Sequence, residues 1–130
     1  QDWASWAEQG LIDMLCPMIY TNDTALFDRL TKRAVAIGLG SSGEKTGGEA
    51  KLLRKIMVCP GIGIGTSHNQ STPDIMMEEI RLARIAGADG VIFFSGNSLT
   101  APFLNRMGSG QRISFIINVL PDYAYYRNHH

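Results

Sequence analysis

The sequence predicts an α/β fold in which parallel strands alternate with helices. Three short apolar runs, residues 11–20, 56–59 and 91–94, are each bounded by turn-forming residues, as strands buried on both faces are. Between these runs, apolar residues recur at the spacings of three and four that are typical of amphipathic helices. A strand, helix, strand order of this kind predicts a parallel sheet joined by crossover helices. The 130 residues make about one domain, and we treat 1–130 as a single unit.

The first strand follows a short helix that Asp2 can cap and that ends near Gly10. Residues 11–20 are almost wholly apolar, which predicts a buried strand. Pro17 has no N–H to give to a ladder, so strand pairing must change there.

The second helix starts at Asn22 or Asp23, either of which can cap it, and Gly38 is its predicted stop. Its predicted apolar face consists of Phe27, Leu30, Ala34 and Ile37. Residues 38–50 then form a flexible, glycine-rich connection.

The second apolar run ends in glycines at alternate positions. Gly61, Gly63 and Gly65 follow Pro60 and leave one side of the backbone bare. A ligand or another chain segment can approach there, so this is either the lip of a binding site or tight packing at a strand end. The same run shares the order apolar segment, Cys-Pro, loop with residues 11–20, which is a short internal repeat.

The third helix has an N-cap at Thr72 and a proline at its first position. One predicted face is lined by Met76, Ile80, Ala83 and Gly87, and the predicted solvent face contains Glu78, Glu79, Arg81 and Arg84. After the strand at 91–94 we expect a short helix at 101–107 and a last apolar piece at 113–120, strand or helix. Residues 108–130 form a C-terminal extension.

Composition excludes several classes of protein. The formal net charge is zero and there is no run of Lys or Arg, so we expect no nucleic-acid partner. No apolar stretch approaches the ~18 residues of a membrane span. Cys16 and Cys59 fit no zinc spacing, so we expect no metal and no cofactor, and we interpret both as buried, unreactive thiols. A disulfide between neighbouring parallel strands would need unusual geometry.

Three blocks of residues resemble the glycosyl-hydrolase-like bacterial barrels, a group that includes glycosidases and is related to a peptidoglycan-acting hydrolase. The first block is Asp2-Trp3, Trp6, Gly10-Leu11-Ile12-Asp13 and Pro17-Met18-Ile19-Tyr20, the second is Pro60-Gly61-Ile62-Gly63, and the third is Ala83-Arg84, Gly87, residues 90–95 and Ser98-Leu99-Thr100. They occur in the order of that group and cover about residues 2–107.

The resemblance implies the last three strand–helix units of a TIM barrel, a glycan or peptidoglycan-type substrate, and a periplasmic or secreted location. A whole barrel needs ~250 residues, so 130 cannot close one. We therefore expect a partial barrel that lacks an N-terminal half, or a homo-oligomer whose copies complete each other.

Barrel active sites lie at the carboxyl ends of the strands, and glycosidases need two carboxyl groups there. Asp23 is the one acid at these ends and the only catalytic candidate, and it is equally suited to capping a helix. We therefore predict a chain that binds glycan without being catalytic alone. The candidate binding residues are Tyr20, Met18, Gly63, His68, Ser95 and Asn97, with core packing, a solvated loop or turn chemistry as their alternatives.

Other functions stay open. A non-catalytic assembly or binding module that self-associates would use the exposed edges of an incomplete barrel. A phosphate-binding barrel fragment would use backbone N–H groups of Gly63, Gly65 and Gly96. Residues 38–46 nearly match a P-loop, but Glu44 is one residue too many, and the glycines at 61–65 do not match a dinucleotide fingerprint.

Overall fold

The computed structural model describes residues 2–40, 56–67 and 69–108, together with the backbone of 116 and 117. The helices are α1 (Trp3–Glu8), α2 (Thr24–Gly38), α3 (Pro73–Ala86) and α4 (Ala101–Gly108), and Gly96–Ser98 forms one 3₁₀ turn. The strands are β1 (Met14–Leu15), β2 (Met18–Ile19), β3 (Met57–Val58), β4 (Gly61–Gly63), β5 (Val91–Phe94) and β6 (Ile116–Ile117). The expected connection at 38–50 and extension at 108–130 fall mostly outside the described residues.

The predicted alternation of helices with parallel strands is confirmed. Every ladder between the named strands is parallel. The strands form two open sheets, β1-β3 and β2-β4-β5-β6, whose neighbours follow one another in chain order. This order, with a helix in each connection, is what successive βαβ units produce.

The pairs β1-β3 and β2-β4 join the same two segments of the chain. The break between the pairs falls at Pro17 on one segment and at Pro60 on the other. Leu15 pairs with Val58 before the break, and Met18 pairs with Gly61 after it. The predicted change of pairing at Pro17 is therefore present, because proline cannot donate to the ladder. The glycines extend the second strand as β4, so the run predicted to end at Cys59 is longer than expected.

The N-caps predicted for the second and third helices are confirmed, and a glycine ends the third. A carboxylate oxygen of Asp23 accepts from the N–H groups of Ala25 and Leu26 at 3.0 and 3.1 Å. The Thr72 hydroxyl accepts from the N–H of Ile75 at 3.3 Å. Gly87 ends α3 with φ 88°, a left-handed conformation that glycine adopts without steric cost.

Helices α2 and α3 pack on one face of the strands. The core cluster joins inward strand residues to inward helix residues, among them Ile19, Ile62, Phe93, Phe27 and Met76. Side chains alternate between the two faces of a strand, so the residues between these lie on the opposite face. That opposite face, which we call the open face, carries the exposed side chains of Met14, Met18, Met57 and Phe94.

Glu79 lies in the core, so the prediction that it faces water is wrong. It is 0% exposed, and neither carboxyl oxygen has a hydrogen-bond partner. The reason is the width of the buried stripe: α3 packs between α2 and α4, so residues flanking the predicted face are covered too. Burial raises the pKa of Glu79 from 4.5 to about 8.

Within the described part of the chain, no helix combines the length and apolar character that crossing a membrane requires.

Candidate functional site

The carboxyl ends of β2, β4 and β5 meet at one edge of the sheet, where Tyr20 and Phe94 form an aromatic platform. Their ring centroids are 5.5 Å apart and the ring planes lie 18° from parallel. The contact exists because Gly63 stands between them: it pairs with Phe94 on one side and has no side chain to keep Tyr20 away. A Cβ on Gly63 would lie 3.0 Å from the Cβ of Tyr20, which is tighter than ordinary packing.

The platform opens onto the open face of the sheet. Phe94 is 45% exposed, and Met18, two residues before Tyr20, is 78% exposed. Core packing, the alternative interpretation of Met18, is therefore wrong. Tyr20 is half-buried, and burial raises the pKa of its phenol, so it is a neutral hydrogen-bonding group.

A hydrogen-bonded loop after β4 borders the platform. The Asn69 side-chain amide donates to the carbonyl of Gly63 at 3.1 Å. The Asn22 side-chain amide donates to the carbonyl of Gln70 at 2.7 Å and so ties this loop to the end of β2. Asn69 was not among the predicted residues, because only the fold shows that a loop amide returns to the strand it follows.

The loop after β5 supplies hydroxyl groups. The hydroxyls of Ser95 and Ser98 lie 3.4 Å apart, and that of Ser98 donates to the carbonyl of Gly65 at 3.4 Å. Asn97 is exposed in the 3₁₀ turn. The peptide bond between Phe94 and Ser95 is cis. Ser95, Asn97, Gly63, Tyr20 and Met18 thus all lie at the predicted edge or beside it, and His68 lies outside the described residues.

Carboxyl groups are scarce at this edge. Asp23 is the only acid between the ends of β2, β4 and β5 and the helices that follow them. Its carboxylate accepts the two N–H groups that begin α2. Asp89 lies at the opposite edge of the sheet, where its Oδ2 accepts a hydrogen bond from the N–H of Val58 at 2.9 Å.

Two backbone N–H groups next to the glycines that were expected to bind a phosphate are occupied within the fold. The N–H of Ile64 donates to the carbonyl of Phe94 at 2.8 Å, and that of Thr66 donates to the carbonyl of Asn69 at 2.9 Å. Among the described residues, no three His, Cys, Asp or Glu side chains converge as metal ligands would.

Comparison with known proteins adds no relative. No family model, no curated protein and no solved structure matches this chain. The resemblance to glycosyl-hydrolase-like barrels therefore stays a prediction, and the chemistry must be argued from the site. An exposed aromatic platform bordered by amide and hydroxyl groups can hold a flat ligand that has both an apolar face and polar edges.

Proposed function

We propose that this chain is the C-terminal portion of a glycoside-hydrolase-like barrel and that its platform binds a glycan. The observation that carries the proposal is the stacked Tyr20–Phe94 pair at the carboxyl ends of parallel strands, in which Phe94 is exposed and Tyr20 is half-buried. A pyranose ring has an apolar C–H face and a rim of hydroxyls. The platform suits that face, and Asn97, Ser95 and the phenol of Tyr20 suit the rim.

Binding without hydrolysis is the activity that we propose for the chain alone. Glycoside hydrolysis uses two carboxyl groups ~5–9.5 Å apart on either side of the scissile bond. In the loops that follow β2, β4 and β5 the only acid is Asp23, and that carboxylate is engaged at the start of α2. The second carboxyl group would have to come from strands that this chain does not contain.

The arrangement of the sheet supports a partial barrel. Its strands are parallel, neighbour one another in chain order, and have helices α2 and α3 on one face. In an eight-stranded barrel the helices form the outer layer and the other face lines the packed interior. The apolar open face, with Met14, Met18 and Met57, has the composition that an interior needs.

A second candidate function, assembly, rests on the same face. Parallel sheets normally have both faces covered, and here one apolar face is exposed in the described chain. Either further strands of a longer protein or a second copy would cover it. A mass measurement in solution separates the two: a dimer of the purified chain that Met18→Asp dissociates supports self-association, and a folded monomer argues against it.

Glycan binding is tested by titrating the purified chain with soluble chito-oligosaccharides and peptidoglycan fragments. We expect Phe94→Ala to weaken binding about 10-fold, which corresponds to ~1.4 kcal/mol for a lost stacking surface. Leu104→Ala is the matched control, because Leu104 is also exposed (51%) but lies on helix α4 and not in the stacked pair. Equal affinity of Phe94→Ala and the parent chain, or no binding of any glycan, would contradict the proposal.

A further inference from the structure

The two cysteines occupy equivalent positions on neighbouring strands. Pairing of Leu15 with Val58 and of Met18 with Gly61 has one register, and it sets Cys16 level with Cys59. Hydrogen bonds hold the two segments together on either side of this level, since the N–H of Cys59 donates to the carbonyl of Leu15 at 3.0 Å and the N–H of Gly61 donates to the carbonyl of Pro17 at 2.8 Å. Neighbouring strands lie ~4.8 Å apart, which is inside the ~4.4–6.8 Å range of Cα separations that disulfides span.

The two thiols also point to the same face of the sheet. Each cysteine is two positions from an exposed methionine of the open face, so strand alternation places both side chains there. Burial raises the pKa of the Cys59 thiol to about 11, and the charges of Cys16 and then Asp89 add to that increase. An effect of Cys16 on Cys59 is expected only for groups that lie near each other.

Their accessibility differs. Both thiols are free; Cys16 is exposed and Cys59 is buried. The expectation that both thiols are buried is therefore wrong for Cys16, although desolvation raises the pKa of its thiol too. Cys16 lies between β1 and β2 at the edge of the described sheets, whereas Cys59 lies between β3 and β4.

We propose that Cys16 and Cys59 form a dithiol site that is converted into an intrachain disulfide by exchange with a small disulfide such as oxidised glutathione. The Cys16 thiolate attacks one sulfur of glutathione disulfide, and the sulfur–sulfur bond breaks to release one glutathione thiolate. The Cys59 thiol loses its proton to solvent and attacks the Cys16 sulfur, which releases the second glutathione thiolate. Two protein thiols are oxidised to one disulfide, and one glutathione disulfide is reduced to two glutathiones.

The resulting bond is easily reduced. Side chains that are level on parallel strands keep their Cβ atoms about one strand spacing apart, whereas ordinary disulfides have Cβ atoms ~3.5–4.5 Å apart. The strands must therefore approach each other locally. Each cysteine precedes a proline that donates no ladder hydrogen bond, and both strands are interrupted there. A strained disulfide of this kind belongs to the reducible, exchange-competent class.

The test exposes the folded chain to oxidised glutathione at mildly alkaline pH and measures intact mass under non-reducing conditions. We expect a monomer that has lost the mass of two hydrogen atoms and has no free thiol after denaturation. Brief treatment with dithiothreitol should restore both thiols. Cys59→Ser should stop at a single glutathione adduct on Cys16, and Cys16→Ser should react slowly because its remaining thiol is buried.

The rate at which the unsubstituted chain closes its disulfide tests the proposal even if a variant fails to fold. Closure of the disulfide must be faster in native buffer than in concentrated urea, because the fold brings the two sulfurs together. A parent chain that stops at the glutathione adduct, that links to a second chain through Cys16, or that closes faster in urea would overturn the proposal.

Discussion

The buried carboxyl group of Glu79 makes stability depend on pH in a way that one substitution can isolate. Burial without a hydrogen-bond partner raises its pKa from 4.5 to about 8. Between these values the folded chain keeps a proton that the unfolded chain releases. The stabilisation that comes from keeping Glu79 neutral is complete below about pH 4.5 and is lost as the pH rises through about 8.

The size of the effect follows from the shift. Each pH unit in this window lowers the free energy of unfolding by about 1.36 kcal/mol, and the whole window by ~5 kcal/mol. Domains of this size have ~5–15 kcal/mol in total, so the loss is a large fraction of the stability. Glu79→Gln keeps the shape of the side chain but carries no titratable proton.

The assay is urea unfolding followed by circular dichroism at several pH values. We expect parent and Glu79→Gln to have similar free energies of unfolding near pH 4.5. The free energy of unfolding of the variant should then exceed that of the parent by about 1.4 kcal/mol more for each pH unit, up to about pH 8. Glu78→Gln is the control: Glu78 is exposed, and its hydrogen bonds to Arg81, at 2.6 and 2.8 Å, lower its pKa. The free energy of unfolding of Glu78→Gln should fall with rising pH as that of the parent does. Parallel curves for the parent and Glu79→Gln would refute the reasoning.

Substitutions at Gly38, Gly63 and Asp23 test the packing and the site. Gly38→Ala places a Cβ 2.5 Å from a methyl of Val58, so urea unfolding should show that the free energy of unfolding falls by ~1–3 kcal/mol. Gly108→Ala is the control: its Cβ meets no atom within 4 Å, so the free energy of unfolding should stay unchanged. Gly63→Ala should displace Tyr20 and lower glycan affinity about 10-fold in titration calorimetry; unchanged affinity would remove the platform from the site. Asp23→Ala should cost ~1 kcal/mol in unfolding experiments and Asp23→Asn only a few tenths; hydrolysis that Asp23→Asn abolishes would give this residue the catalytic role.

Features that depend on neighbouring residues in the chain could be predicted from the sequence. The caps at Asp23 and Thr72 and the stop at Gly87 need only a side-chain oxygen or a missing Cβ at the right position. The apolar spacing of α3 likewise predicts Met76, Ile80 and Ala83 in the core. The same spacing could not predict that Glu79 is buried. The width of the helix face that is covered depends on the helices that pack on either side of α3.

Features that join distant segments depend on the register between strands, and the chain holds a partial clue to it. Cys-Pro occurs within the first apolar run and at the end of the second. Had these pairs been taken to lie level in the sheet, Cys16 would have been placed beside Cys59 and Tyr20 beside Gly63, as the structure places them. A two-residue repeat is too short to impose that choice, because register also depends on which face the helices cover. The dithiol and the aromatic platform therefore share one cause. A slip of one residue between these strands would turn every side chain of one strand to the other face and would remove both sites together.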